Sequence, residues 1–336
     1  MPVHLVGISG GRVWHTIRNP NAWSPWDDVS GSAGTPAGTP RSVAAGFVMG
    51  SLHVCLLTQS GLFHTIRFGS GNWQPWGDAS AAAFPQVSGI NEVDCVGIGP
   101  GLHVCVSGIR RSGNIQTLPA MWHAIRTSNA NPALDSWSGA AEITGRYRII
   151  WDVACGNAGG NLHALARVTD VNGSEQLMHT IRFPNGGLQP QGDQDVIGLF
   201  PATAAALRST RSAAAAGIGP ALHVLASDGT ELFHTIRLND TSWQSTFGSV
   251  RGAVDPTFNS PLGLPSAASA DGNLHVFAIS AAPGSIFHTI RLSTPPAWRN
   301  PETASGGMFG DVMNAVPAGA AGTPSRAFVD LAAAGA

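Results

Sequence analysis

The sequence predicts an all-β chain folded as one six-bladed β-propeller across residues 1–336, with four-stranded antiparallel blades and a ring closed by a C-terminal strand joining the N-terminal blade. Three observations carry this reading: a unit repeated six times, a composition suited to many short strands, and chain ends that complement each other.

The repeat is the strongest. VWHTIR (13–18), LFHTIR (62–67), MWHAIR (121–126), LMHTIR (177–182), LFHTIR (232–237) and IFHTIR (286–291) are versions of one segment. Ahead of each lies a second: VHLV (3–6), LHVC (52–55), LHVC (102–105), LHAL (162–165), LHVL (222–225) and LHVF (274–277). All 12 histidines fall on these two positions.

Each unit reads as four strands. The first is rich in small residues (SVAAGF 42–47, AAAAGIG 213–219, FVDLAAAG 328–335), as suits the position nearest the axis, where blades converge. The two histidine strands follow, joined by turns such as Thr58-Gln59-Ser60-Gly61 and Ser227-Asp228-Gly229-Thr230. The fourth carries a Trp and often ends in Gly-Asp or Asp-Asp (WSPWDDV 23–29, WQPWGDA 73–79). The chain begins on a second strand (Val3–Val6) and ends on a first (Ser325–Gly335), so the last segment completes the first blade and removes the open edges. With 42 Gly and 23 Pro the chain is rich in turns, and 43% hydrophobic against 11% charged residues excludes disorder.

Composition removes several functions. Every one of the 18 basic residues is Arg, so neither a Schiff-base lysine nor a P-loop lysine exists. A net charge of −2 gives no pull toward nucleic acid. No apolar run is long enough to span a membrane, and MPVHLVGISG does not read as a signal peptide. The expectation is a monomer without cofactor, cytoplasmic or released by a non-classical route. Cys95 and Cys105 can face each other across a hairpin, and they read as two reduced, buried thiols.

Strand alternation puts His53, Cys55 and His64 on one face of a blade, a set able in principle to hold zinc. The Cys slot is Val6, Leu165, Leu225 or Phe277 in other units, so the histidines are read as structural, satisfying buried backbone groups without metal. The motif arginines (Arg18, Arg67, Arg126, Arg182, Arg237, Arg291) are expected to pair with fourth-strand acids, Arg67 with Asp78 and Arg18 with Asp27 or Asp28; a basic rim is the alternative. Catalysis needs a constellation that one unit has and the others lack, and no Glu/Asp cluster in the sequence breaks the symmetry. A sialidase would need a Tyr nucleophile, and the chain has one Tyr, Tyr147. GISGG (7–11) matches the letters of a nucleophile elbow, yet it lies between two strands, so Ser9 reads as a turn residue.

The fourth-strand tryptophans remain: Trp23, Trp73, Trp137, Trp243 and Trp298, with Leu188 in the fourth unit and a second Trp (Trp26, Trp76) in two units. Such rings either stack on sugars or pack between blades.

The unit LHVCLLTQSGLFHTIRFGSGNWQPWGDAS (52–80) resembles the tectonin and bacterial fucose-lectin type of propeller repeat, and the likeness runs unit by unit along the chain. The resemblance implies shallow sugar sites between adjacent blades, with the first fourth-strand Trp of each unit as stacking residue. The His-Thr-Ile-Arg core and the absence of a second Trp from four units depart from the pattern. Unequal sites follow, with the blades holding Trp23–Trp26 and Trp73–Trp76 best placed. The function expected is non-catalytic glycan binding. The alternatives are a protein-interaction scaffold using loops such as Arg110–Pro119 and Asp170–Gln176, or a degenerate propeller.

Overall fold

We describe the chain from a computed structural model, covering all residues except 21, 112–117, 129–134, 191, 240–241, 255–259, 281–284, 300–309, 317–323 and 325–327. It is a six-bladed ring of antiparallel sheets. Blade I combines the innermost strand Phe328–Gly335 with Val3–Ser9 and Arg12–Asn19. Blades II to VI begin with the inner strands Pro40–Val48, Val87–Ile98, Ile149–Ala158, Ser212–Ile218 and Gly263–Ala270. The expected closure is present: Val3 pairs with Gly335 and Val6 with Ala332. Of the C-terminal segment expected to close the ring, residues 325–327 lie outside the described set.

The hairpins keep the expected register, with His64 opposite Cys55 and His53 opposite Ile66. Ser9 closes its strand and Gly10-Gly11 turns the chain. The fourth strands are shorter than the sequence suggests. Each shrinks to brief pairings near the Trp position and near the acid, as at Trp23 and Asp27–Asp28. Asp28, Asp78 and Asp311 then cap short helices, accepting from Gly31, Ala81 and Met313 backbone N–H groups.

That capping corrects the expected ion pairs. Asp78 is a helix cap, and Asp28 pairs with Arg12 at 2.8 Å, not with Arg18. Among the motif arginines, Arg126 has the expected kind of partner, Asp135 at 2.8 Å. Cys95 and Cys105 are reduced and buried as expected, although in register Cys105 lies opposite Asp94 and not Cys95.

The apolar core is a set of layers between adjacent blades. Leu57 and Leu62 of blade II pack with Val93, Leu102 and Trp122 of blade III, for example. Inner strands approach backbone to backbone where glycine permits it. A Cβ on Gly97, Gly217 or Gly335 would sit 2.0, 1.5 or 1.7 Å from a carbonyl oxygen of the preceding blade.

Candidate functional site

The repeated histidines bond to each other in pairs. In every blade the second-strand Nδ1 meets the third-strand Nε2: His4–His15 at 3.0 Å, His53–His64 and His103–His123 at 3.1 Å, and His163–His179, His223–His234 and His275–His288 at 3.0 Å. Because two neutral imidazoles share one N–H between them, each pair fixes a complementary pair of tautomers. Burial pushes His4 down to about 4 and His53 to about 3, helped by Arg67 and Arg126 respectively. Each arginine comes from the following blade, so the motif arginines keep the preceding blade's histidines neutral. Among the described residues, no group of three or more His, Cys, Asp or Glu side chains is arranged to hold a metal ion.

The tryptophans complete this layer. Trp73 stands edge-on to His15 of blade I at 5.5 Å, Trp137 to His64 at 5.5 Å, Trp243 to His179 at 5.6 Å, Trp298 to His234 at 5.5 Å and Trp23 to His288 at 5.9 Å. Trp73 Nε1 donates to Asp27 and Trp243 Nε1 to Gln194, again across a blade boundary. Trp23 and Trp26 are 6% and 2% exposed and belong to the core between blades VI and I, which leaves little ring for a sugar to reach. Trp73, Trp76, Trp137, Trp243 and Trp298 are partly buried and packed against inter-blade layers.

Where the series lacks its Trp, a groove opens. Between blades III and IV, the exposed Leu188 takes the tryptophan position, and a groove of about 690 Å³ lies beside it. Its charged wall is built around Glu142, which accepts from Arg110 and Arg146, each at 3.1 Å. Arg110 also stacks over Trp122, which fixes one end of its long side chain. Asp193 is held by the Tyr147 hydroxyl at 2.6 Å and by Gly145 N–H at 2.7 Å. Burial and this bond push the Tyr147 hydroxyl far up, and the single tyrosine braces the groove through Asp193. The groove thus offers fixed N–H donors, carboxylate acceptors and one apolar wall. The sequence signal was the Leu188 exception itself.

A second concavity runs along the axis, about 1260 Å³ and lined by the inner strands. It brings together Glu92, Asp94, Asp152 and Asp330, contrary to the sequence expectation that no acidic cluster breaks the symmetry. Burial raises Glu92 to about 8, Asp94 to about 7 and Asp330 to about 6, and raises Asp152 well above its ordinary value. Three of these acids are stitches between blades. Asp94 accepts from Cys95 and Cys155 N–H, Asp152 from Val153 and Ala213, and Asp330 from Leu331 and Val43. Each carboxylate therefore takes one N–H of its own strand and one of the next blade. Trp151, absent from the repeat and 39% exposed, also lines this cavity.

The loop Asp170–Gln176 is a tight turn, with Asp170 accepting from Asn172 and Ser174 N–H, and most of Arg110–Pro119 lies outside the described residues.

A scan against protein-family profiles finds no match, and no curated protein matches in sequence. Solved structures do match in shape. A mutant of Aleuria aurantia lectin in complex with alpha-methyl-L-fucoside aligns with a TM-score of 0.55 and 13% identity, over 92% of this chain and 90% of that one. AofleA from Arthrobotrys oligospora aligns at 0.53 and 10% identity, over 83% and 72%. The Hadza microbial sialidase Hz136 aligns at 0.53 and 12% identity, over 86% and 66%. The chain therefore has the six-bladed propeller fold, shared at this level by a lectin and a sialidase alike.

Proposed function

We propose that the protein is a non-catalytic, carbohydrate-binding propeller whose best-formed site is the groove between blades III and IV. The observation that carries this reading is the Arg110–Glu142–Arg146 network facing Leu188, where no tryptophan fills the space. Sugars present hydroxyls that both donate and accept, beside patches of C–H, and a wall of paired charges next to an apolar side chain answers both. The expected stacking residues Trp73, Trp76, Trp137, Trp243 and Trp298 can still offer ring edges at shallower sites, whereas Trp23 and Trp26 serve packing in this reading. Likeness to a lectin over most of both chains supports the ligand class. A glycan array read with labelled protein tests it. A set of hits sharing one terminal sugar, lost in Leu188→Trp and weakened at least tenfold in Arg146→Ala, is expected; an array blank at high protein concentration refutes it.

A hydrolase reading is favoured by the axial carboxyls and the sialidase likeness. Against it, Asp94, Asp152 and Asp330 are each occupied by two backbone N–H groups that join blades, a structural use. Release of fluorophore from methylumbelliferyl glycosides, abolished in Glu92→Gln, would establish it. A scaffold that holds a protein partner would instead keep that partner in the presence of free monosaccharide.

A further inference from the structure

The chain repeats itself closely except at the beginnings of its inner strands. There the pairing register slips in blades I, II, III, IV and VI. Such a bulge adds a residue and re-aims its side chain. The added residues include Val329, Arg41, Trp151 and Leu264, each exposed and each lining the axial cavity. Arg211 stands at the matching place in blade V. The other ends of the inner strands crowd together at Gly97, Gly217 and Gly335. Val329, Arg41, Trp151, Arg211 and Leu264 thus surround one mouth of the cavity.

We propose that this mouth is a second ligand site, separate from the grooves between blades, and that it takes a sugar with Trp151 as its platform. The ligand class rests on the carbohydrate reading above; the location does not. Trp151 is the most open aromatic ring at the mouth, with its indole N–H fixed on Thr169 at 2.8 Å. Arg211 lies over the ring at 5.0 Å and is itself paired with Glu175 at 3.2 Å. Arg41 adds a second guanidinium to the mouth, near Glu92. The mouth thus presents an aromatic face ringed by hydrogen-bond donors and acceptors, flanked by Val329 and Leu264, which suits a hydroxyl-bearing ring with an apolar face.

Saturation-transfer NMR with the methyl glycosides of fucose, galactose, glucose, mannose and N-acetylglucosamine tests this. Wild-type protein is expected to transfer saturation to at least one of them. Trp151→Ala should weaken that signal at least tenfold, Trp151→Phe should restore most of it by keeping a ring at the bulge, and Leu188→Trp should leave it intact. Unchanged signal in Trp151→Ala, or no signal from any glycoside in the wild type, overturns the inference. Array hits lost in Leu188→Trp but untouched by Trp151→Ala would sink the axial site and leave the groove standing. The reverse pattern would sink the groove and leave the axial site.

Discussion

Lowering the pH should dismantle this ring well above the pH at which most proteins unfold. The perturbation acts on the six buried histidine pairs. In the folded chain burial holds His4, His103, His163 and His223 at about 4, His53 at about 3 and His275 at about 2, with the third-strand His15, His64, His123, His179 and His234 well below the ordinary 6.5 as well. A depressed histidine contributes stability that is full above 6.5 and is lost as pH falls toward its folded value. One that titrates near 4 gives up roughly 3 kcal/mol over that interval. The four that titrate near 4 give up roughly 14 kcal/mol together, and His53 and His275 add to that, against the ~5–15 kcal/mol that typically holds a domain together. The axial acids oppose this. Glu92, Asp94, Asp152 and Asp330 bind protons more readily folded than unfolded, so their contribution is present at low pH and fades as pH rises through about 6 to 8. With these eleven histidines and the four acids counted, about seven protons are taken up on unfolding near pH 5, and stability should fall by roughly 10 kcal/mol per pH unit. Far-UV circular dichroism against pH, with proton uptake followed potentiometrically, should show one steep transition between about pH 5 and 6. A chain that stays folded at pH 4, or that unfolds with the uptake of only one or two protons, would refute the reasoning.

Other outcomes follow from the same contacts. Trp73→Ala removes an inter-blade ring and the bond to Asp27 and should cost about 2–4 kcal/mol in urea unfolding; unchanged stability would mean the ring is not a packing element. Arg167 is fully buried and donates to the Thr210 and Gln176 carbonyls, so Arg167→Met should lose about 3 kcal/mol by orphaning both, measured as a drop in the urea midpoint. Gly217→Ala drives a methyl group into the Asn157 carbonyl of the preceding blade and should lower Tm sharply or prevent soluble expression, whereas Gly229→Ala in an open hairpin turn should be much milder.

What the sequence disclosed was local. Strand order, hairpin register and the closing strand are written in the alternation of Leu-His-Val and His-Thr-Ile-Arg, because each depends on neighbours within one unit. The contacts between units left no such trace. His53 and His64 were placed on one face, yet their mutual bond is a diagonal contact, and its geometry depends on sheet twist. That Trp73 rests on His15 and Arg67 faces His4 is a property of neighbouring blades, which no periodicity within a blade reports. Trp151 escaped notice because it sits at a bulge, outside the repeat. The axial acids escaped because Glu92, Asp152 and Asp330 share one first-strand place that is Ser42 and Ser212 in other units, and they come together only when the ring closes.

The seam in blade I also sets how the molecule answers to force. Val3 lies opposite Gly335, and the Ala336 N–H reaches the Pro2 carbonyl, so both ends leave the sheet at the same place. Tension applied between them loads the hydrogen bonds of that seam one after another, as in a zipper, and not all together as in a sheared pair. The ring should therefore part at low force along this line, while tension between an inner strand and its own hairpin partner, pulled lengthwise past each other, would meet many bonds at once.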